Sequence, residues 1–92
     1  MEGVQMITGK TKRGFEYAID EADINNMEFL DALSGANDGD PLQVSKVLRL
    51  LLGDKQRKAL YDSLRDEKGR VPIDAVMEAV KDILANDGAK NS

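Results

Sequence analysis

The sequence predicts an α+β fold, mainly α, with an N-terminal β-hairpin followed by a compact bundle of about four short helices. Three observations predict it. Apolar and polar residues alternate at period two near the N-terminus, apolar positions then recur at helical spacing, and acidic caps and glycines bracket the helical stretches. With 92 residues, the chain has room for one domain, since domains of this size bury only ~60–65% of the surface their unfolded chain exposes. We assign residues 1–88 to that domain, with the hairpin at 4–19 and the helical part at 20–88, and residues 89–92 to a frayed tail.

Residues 4–7 alternate weakly and residues 15–19 clearly, with Phe15, Tyr17 and Ile19 on one face. Gly9, Gly14 and the polar run Lys10, Thr11, Lys12, Arg13 lie between them, so the connection is longer than a tight two-residue turn. A lone hairpin is marginal in water, and its apolar face has to pack on the helical part of the chain. Residues 20–34 predict a helix with apolar positions at Ile24, Met27, Leu30 and Leu33, Phe29 beside them, and Gly35 as the stop. Its first turn is expected to be ragged, because Asp20 and Asp23 can each cap it and Asn25 and Asn26 are weak helix formers. Residues 36–40 are a turn. Asp40-Pro41 then opens a second helix running to Leu52 and stopped by Gly53. Asp54 caps a third, with Ala59, Leu60 and Leu64 turned inward and a break at Lys68-Gly69. Pro72 opens a fourth, with Ile73, Val76, Met77, Val80, Ile83 and Leu84 in one stripe and Gly88 as its end.

Composition removes most chemistry. With no Cys and no His, the chain has no thiol nucleophile, no disulfide, no zinc-thiolate site and no histidine base, so catalysis would run on carboxylates alone. We expect no catalytic, cofactor-binding or metal-ligating residues. Two Phe, two Tyr and no Trp make the core aliphatic and thin, and thin cores are often completed by a protein partner or by a second copy in a homo-oligomer. The net charge of −4, from 17 acidic and 13 basic residues, disfavours nucleic acid, whose binding depends on cations displacing counterions from phosphates. The local cluster at residues 10–13 reads as a solvated turn. No apolar run approaches ~18 residues and no charged-then-apolar leader opens the chain, so the expectation is no membrane span and a cytoplasmic location.

The near-motifs fail on spacing. Gly9-Lys10-Thr11 resembles the end of a phosphate-binding loop, but the first glycine of that pattern falls on Val4 and a strand follows where a helix is needed. A calcium loop centred on Gly69 would put Leu64 first and Ala75 last, and one centred on Gly39 would put Ser34 first and Ser45 last, so both lack the terminal carboxylates. The acidic pairs Asp20 with Glu21 and Asp66 with Glu67 sit at helix starts or turns, where carboxylates have structural work.

The second helix carries a surplus. At ~100° per residue, Val44, Val47, Leu48 and Leu51 converge on one face, whereas Leu42 and Leu50 point to nearly the opposite side, flanked by Lys46 and Arg49. A helix central in the bundle and buried all round accounts for two apolar sides. The functional reading is a partner-binding patch made of Leu42, Lys46, Arg49 and Leu50.

The runs MEFLDAL at 27–33, DGDPL at 38–42, VLRLLLGDKQ at 47–56 and LRDEKGRVP at 64–72 together resemble the small tail assembly chaperones of long-tailed phages and prophages of Gram-positive bacteria, over roughly residues 13–86. That resemblance implies a cytoplasmic, mainly helical protein of the bacterial host cell that coats the aggregation-prone tape measure protein and assists tail-tube assembly. Relatives of this kind are often also made as a longer frameshifted product. The family offers no catalytic residues to carry over. Readings of other classes are a structural tail or head-tail joining protein that stays in the particle, and an acidic regulatory adaptor or nucleic-acid mimic. A mimic needs its acids in a continuous stripe, whereas acids and bases are interleaved along most of the helices.

Overall fold

The computed structural model describes residues 5–90. Strands β1 (Met6–Lys10) and β2 (Glu16–Asp20) form an antiparallel hairpin in which Ile7 faces Ile19 and Gly9 faces Tyr17. Four helices follow: α1 (Glu21–Ile24), α2 (Met27–Asn37), α3 (Pro41–Leu64) and α4 (Ile73–Lys90). The fold is α+β and mainly α, as the alternation and the helical spacing predict.

The first strand lies further along the chain than expected. Gly9 and Lys10 belong to β1, not to the connection, which shrinks to residues 11–15. Val4, expected in the strand, lies outside the described residues. Gly9 is there because the Tyr17 ring crosses over it: a Cβ at this position would come within 2.8 Å of Tyr17 Cζ. Its missing side chain makes room for a buried aromatic, a role that local sequence cannot distinguish from turn punctuation. Thr11 closes the loop, its backbone N–H donating to Phe15 O at 2.9 Å and its Oγ1 accepting from Phe15 N at 3.1 Å.

The helix expected over 20–34 is two helices. Asp20 caps the single turn of α1, accepting from Ala22 N at 3.0 Å, and Asn26 caps α2, accepting from Glu28 N at 3.1 Å. The ragged start is thus a full break, since Asn25 and Asn26 both leave helical backbone. Gly35 does not stop α2, which continues to Asn37. It is a packing residue, where an added Cβ would come within 2.6 Å of Gln43 Cγ on α3.

Asp40 caps α3 as expected, accepting from Leu42 N at 3.0 Å. The boundary expected at Gly53 appears as a kink inside α3, with non-helical φ 75 and ψ 178. The arm before the kink buries Val44, Val47, Leu48 and Leu51, and the arm after it buries Leu60 and Leu64. Ala59, expected inside, is exposed. Helix α4 runs through Gly88, expected as its end, to Lys90, so the expected frayed tail is helical at residues 89 and 90. One glycine costs a helix only ~1 kcal/mol relative to alanine, too little to break it without a competing cap. Residues 91–92 lie outside the described residues.

Tyr17 and Ile19 of β2 join Phe29, Ala32 and Ala36 of α2 and the buried residues of α3 and α4 in one apolar cluster. Two polar devices hold the hairpin to the helices. Gln56, in the second arm of α3, accepts from Ala18 N at 2.8 Å and donates to Ala18 O at 2.7 Å, so its amide pairs with the outer edge of β2 as a strand residue would. On the other side the 11–15 loop meets α4: Lys12 N donates to Asp82 Oδ2 at 3.0 Å, and Lys12 and Arg13 pair with Asp82 and Glu78 at 3.8 and 3.6 Å.

Candidate protein-binding surface

The cations at residues 10–13 are engaged. Lys10 pairs with Glu16 at 3.8 Å, and Lys12 and Arg13 hold α4, so this cluster binds its own chain. Of the acidic pairs singled out in the sequence, Asp20 and Asp66 do local work. Asp66 accepts from the backbone N–H of Lys68 and of Arg70, both at 2.9 Å, and from Arg70 Nε at 3.2 Å. These hydrogen bonds, the one from Arg70 N foremost, favour the charged form and hold the Asp66 carboxyl below its ordinary pKa. Further along α3, Arg57 pairs with Asp54 at 3.0 Å and lies over the Tyr61 ring at 5.9 Å, contacts that raise its pKa, the Asp54 hydrogen bond most.

The first arm of α3 is not buried all round. Leu42 is 79% exposed and Lys46 and Arg49 are exposed. At spacings of four and three residues the three share one solvent face, and neither cation forms an ion pair among the described residues. Leu50 is more buried than these three. It is half-buried against the core and, with Arg49, lines a hollow that also contains Asp20 and Asp23. The predicted patch therefore splits into a basic face with one leucine and a leucine used by the core.

A larger apolar surface lies on α2, where sequence spacing places the core. Met27 is 65% exposed and Leu30 53% exposed, while Phe29, Ala32 and Ala36 are buried. A strict three-residue spacing cannot hold one face, because each step turns ~300° and the stripe drifts by ~60°. The cap at Asn26 sets the phase of α2 anew, and Phe29, Ala32 and Ala36 fit a fixed face. That second pattern was the available signal.

Leu33, one turn beyond Leu30, leads into a groove between α2 and α4. Val44 and Val47 of α3 form its floor, Leu33 and Ala36 one wall, and Met77, Val80 and Leu84 the other, with Asn37 and Lys81 as its polar edge. It encloses about 70 Å³, well under the ~300 Å³ at which small-molecule pockets begin. The groove is a shallow surface depression, too small to enclose a ligand of ordinary size. Ile73 of α4, expected inside, is 57% exposed and borders a separate hollow with Pro41 and Tyr61.

Charge is segregated around these surfaces. Between Arg13 and Lys46 the chain has eight carboxylates and no cation, whereas residues 46–65 hold six cations and two carboxylates. The interleaving expected along most helices therefore fails for α1 and α2. The fold and the surface define a small, mainly helical α+β domain with apolar side chains left open on an acidic helix. No family model, curated protein or solved structure matches the chain.

Proposed function

We propose that the protein is a non-enzymatic tail assembly chaperone of a long-tailed phage or prophage, acting in the cytoplasm of the bacterial host, which binds the tape measure protein and assists assembly of the tail tube around it. The family part of this reading rests on the resemblance of residues 27–33, 38–42, 47–56 and 64–72. The binding part is carried by one observation: Met27 and Leu30 stand more than half exposed on α2, the helix whose Leu33 and Ala36 line an apolar groove. Large apolar side chains placed side by side in water are costly to solubility, and their common use is to cover another protein's apolar surface. A chaperone must do this reversibly, and a stripe only two or three side chains long suits weak, repeated contact.

Co-expression with a long helical tape measure protein tests the proposal. The tape measure protein's soluble yield should rise with this chain present and return to baseline with Leu30→Asp; an unchanged yield with the wild-type chain sinks the reading. A second reading, an acidic adaptor, draws on the eight carboxylates between Arg13 and Lys46. Asp20 and Asp40 are already caps, however, and Met27 and Leu30 interrupt the remainder, so the acids do not form the continuous stripe a mimic needs.

A further inference from the structure

We propose that two copies of the chain pair edge to edge through β1, antiparallel across a two-fold axis, and so join their two-stranded hairpins into one four-stranded sheet.

The hydrogen-bond parity of the hairpin carries this. Glu21 N donates to Gln5 O and Thr11 N donates to Phe15 O, both at 2.9 Å, and hydrogen-bonded pairs recur at every second position of an antiparallel ladder. The strands are therefore joined through Gln5 with Glu21, Ile7 with Ile19, Gly9 with Tyr17 and Thr11 with Phe15. The residues between these turn their backbone N–H and C=O away from the other strand. On β2 that outward edge is closed at Ala18, whose N–H and C=O both bond the Gln56 amide. On β1 the outward residues Met6 and Thr8 are exposed, and their N–H and C=O have no hydrogen-bond partner among the described residues. An open edge is a template for another strand, and β1 lacks the devices that blunt one. It has no proline and no bulge, and its one charge, Lys10, is at the end.

The strand that fits is β1 itself. With Met6 opposite the partner's Thr8, and Thr8 opposite the partner's Met6, the outward groups of both strands match and make about four backbone hydrogen bonds. Ile7 then meets the partner's Ile7 on the axis, at the close Cα spacing of ~4.5 Å that a non-hydrogen-bonded pair takes. Ile7 packs on the core and is only half-buried, so this contact covers what a single copy leaves open. An unrelated extended segment gains the backbone bonds without it. Placing Thr8 opposite the partner's Thr8 sets Ile7 against the partner's Gly9 and loses it too. Parallel pairing puts Lys10 beside the partner's Lys10, whereas antiparallel pairing sends the two to opposite ends.

Hydrogen exchange on the wild-type chain tests the edge. The amides of Met6 and Thr8 should slow by at least ~5-fold as concentration rises from about 10 μM to about 1 mM, and those of Ile7 and Gly9, bonded within the hairpin, by far less. The chain has no cysteine, so single replacements test the register. Met6→Cys mixed with Thr8→Cys and oxidised in air should give a mixed disulfide at least ~5-fold in excess of either homodimer, because like positions are diagonal at ~7–8 Å, past the disulfide range. Thr8→Pro deletes an outward N–H and leaves the bonds between β1 and β2 in place. It should weaken association at least ~10-fold in sedimentation equilibrium, while Leu30→Asp should leave association unchanged.

Met6 and Thr8 amides that exchange freely at every concentration overturn the proposal, because the edge then stays in water. Equal protection at every concentration also overturns it, because the chain then covers the edge itself. So does a mixture of the two cysteine variants that cross-links no better than each alone, or a dimer that Leu30→Asp dissolves and Thr8→Pro does not. Should Thr8→Pro unfold the chain, exchange and cross-linking decide.

Discussion

Gly53 takes φ 75 and ψ 178 in the middle of α3, a backbone region essentially closed to residues with a Cβ. It lets the chain leave one helical arm and enter the next with no intervening loop, and nothing within 4 Å would meet an added Cβ. The cost of Gly53→Ala is therefore backbone strain alone, about 1–3 kcal/mol. A lowered urea midpoint with an unchanged slope would show it, and an unchanged midpoint would mean that the kink can straighten. Asp66 acts at the same scale through charge. Because its pKa is lowered in the folded protein, chiefly by the hydrogen bond from Arg70 N, it contributes stability above the ordinary carboxylate pKa. That contribution is lost as pH falls through the lowered value. Asp66→Ala should lower Tm at neutral pH, and thermal melts at decreasing pH should show the gap to wild type closing in the acid range. A gap independent of pH would show that the side chain acts without its charge.

Among the elements, those ended by backbone chemistry were legible and those set by packing were not. Asp40-Pro41 and Gly53 mark real boundaries because a cap and a positive φ are local requirements. Gly9 and Gly35 look the same in sequence, yet one lies under Tyr17 and the other against Gln43, and only the folded arrangement distinguishes a glycine that turns the chain from one that makes room. The open surface on α2 was missed for a related reason: the phase of that helix is set by the cap at Asn26, and the three-residue run of Met27, Leu30 and Leu33 pointed to the wrong face. Of the patch expected on α3, Leu42, Lys46 and Arg49 do face solvent, since helical angle alone places them, while Leu50 is drawn to the core. Gln56 was invisible to periodicity because its partner is the edge of a strand 38 residues away. Gln56→Leu leaves Ala18 N–H and C=O unpaired and should cost about 1–3 kcal/mol. Hydrogen exchange would register it first at the Ala18 amide, and unchanged protection there would mean that Gln56 is not what closes the edge.

At the scale of the molecule, the contacts that stabilise the fold and the surface proposed for binding lie on different sides. Lys12 reaches Asp82 across 70 residues of chain through its backbone amide and an ion pair, and Arg13 pairs with Glu78 beside them, so Asp82 ties the N-terminal hairpin to the last helix. Its side chain is 15% exposed but that of Lys12 is 90% exposed, so the ion pair is a surface pair and the hydrogen bond from Lys12 N carries more of the tie. Leu30, by contrast, is open to solvent and on a helix that contacts the core through other residues. Two substitutions should therefore give opposite results. Asp82→Ala should lower the unfolding free energy by about 1–2 kcal/mol and, under the proposed chaperone function, leave co-expressed tape measure protein soluble at temperatures where the variant stays folded. Leu30→Asp should move stability by less than about 1 kcal/mol and, under the same proposal, remove the solubilising effect. Because the two sites share no partners, the double variant should show the sum of the stability changes and the binding loss of Leu30→Asp alone. Urea titration and soluble yield measured on the same four proteins decide it. If Leu30→Asp unfolds the chain, the α2 stripe is core and not contact surface; if Asp82→Ala alone abolishes solubilisation without unfolding, the client lies on the loop and α4, away from the groove.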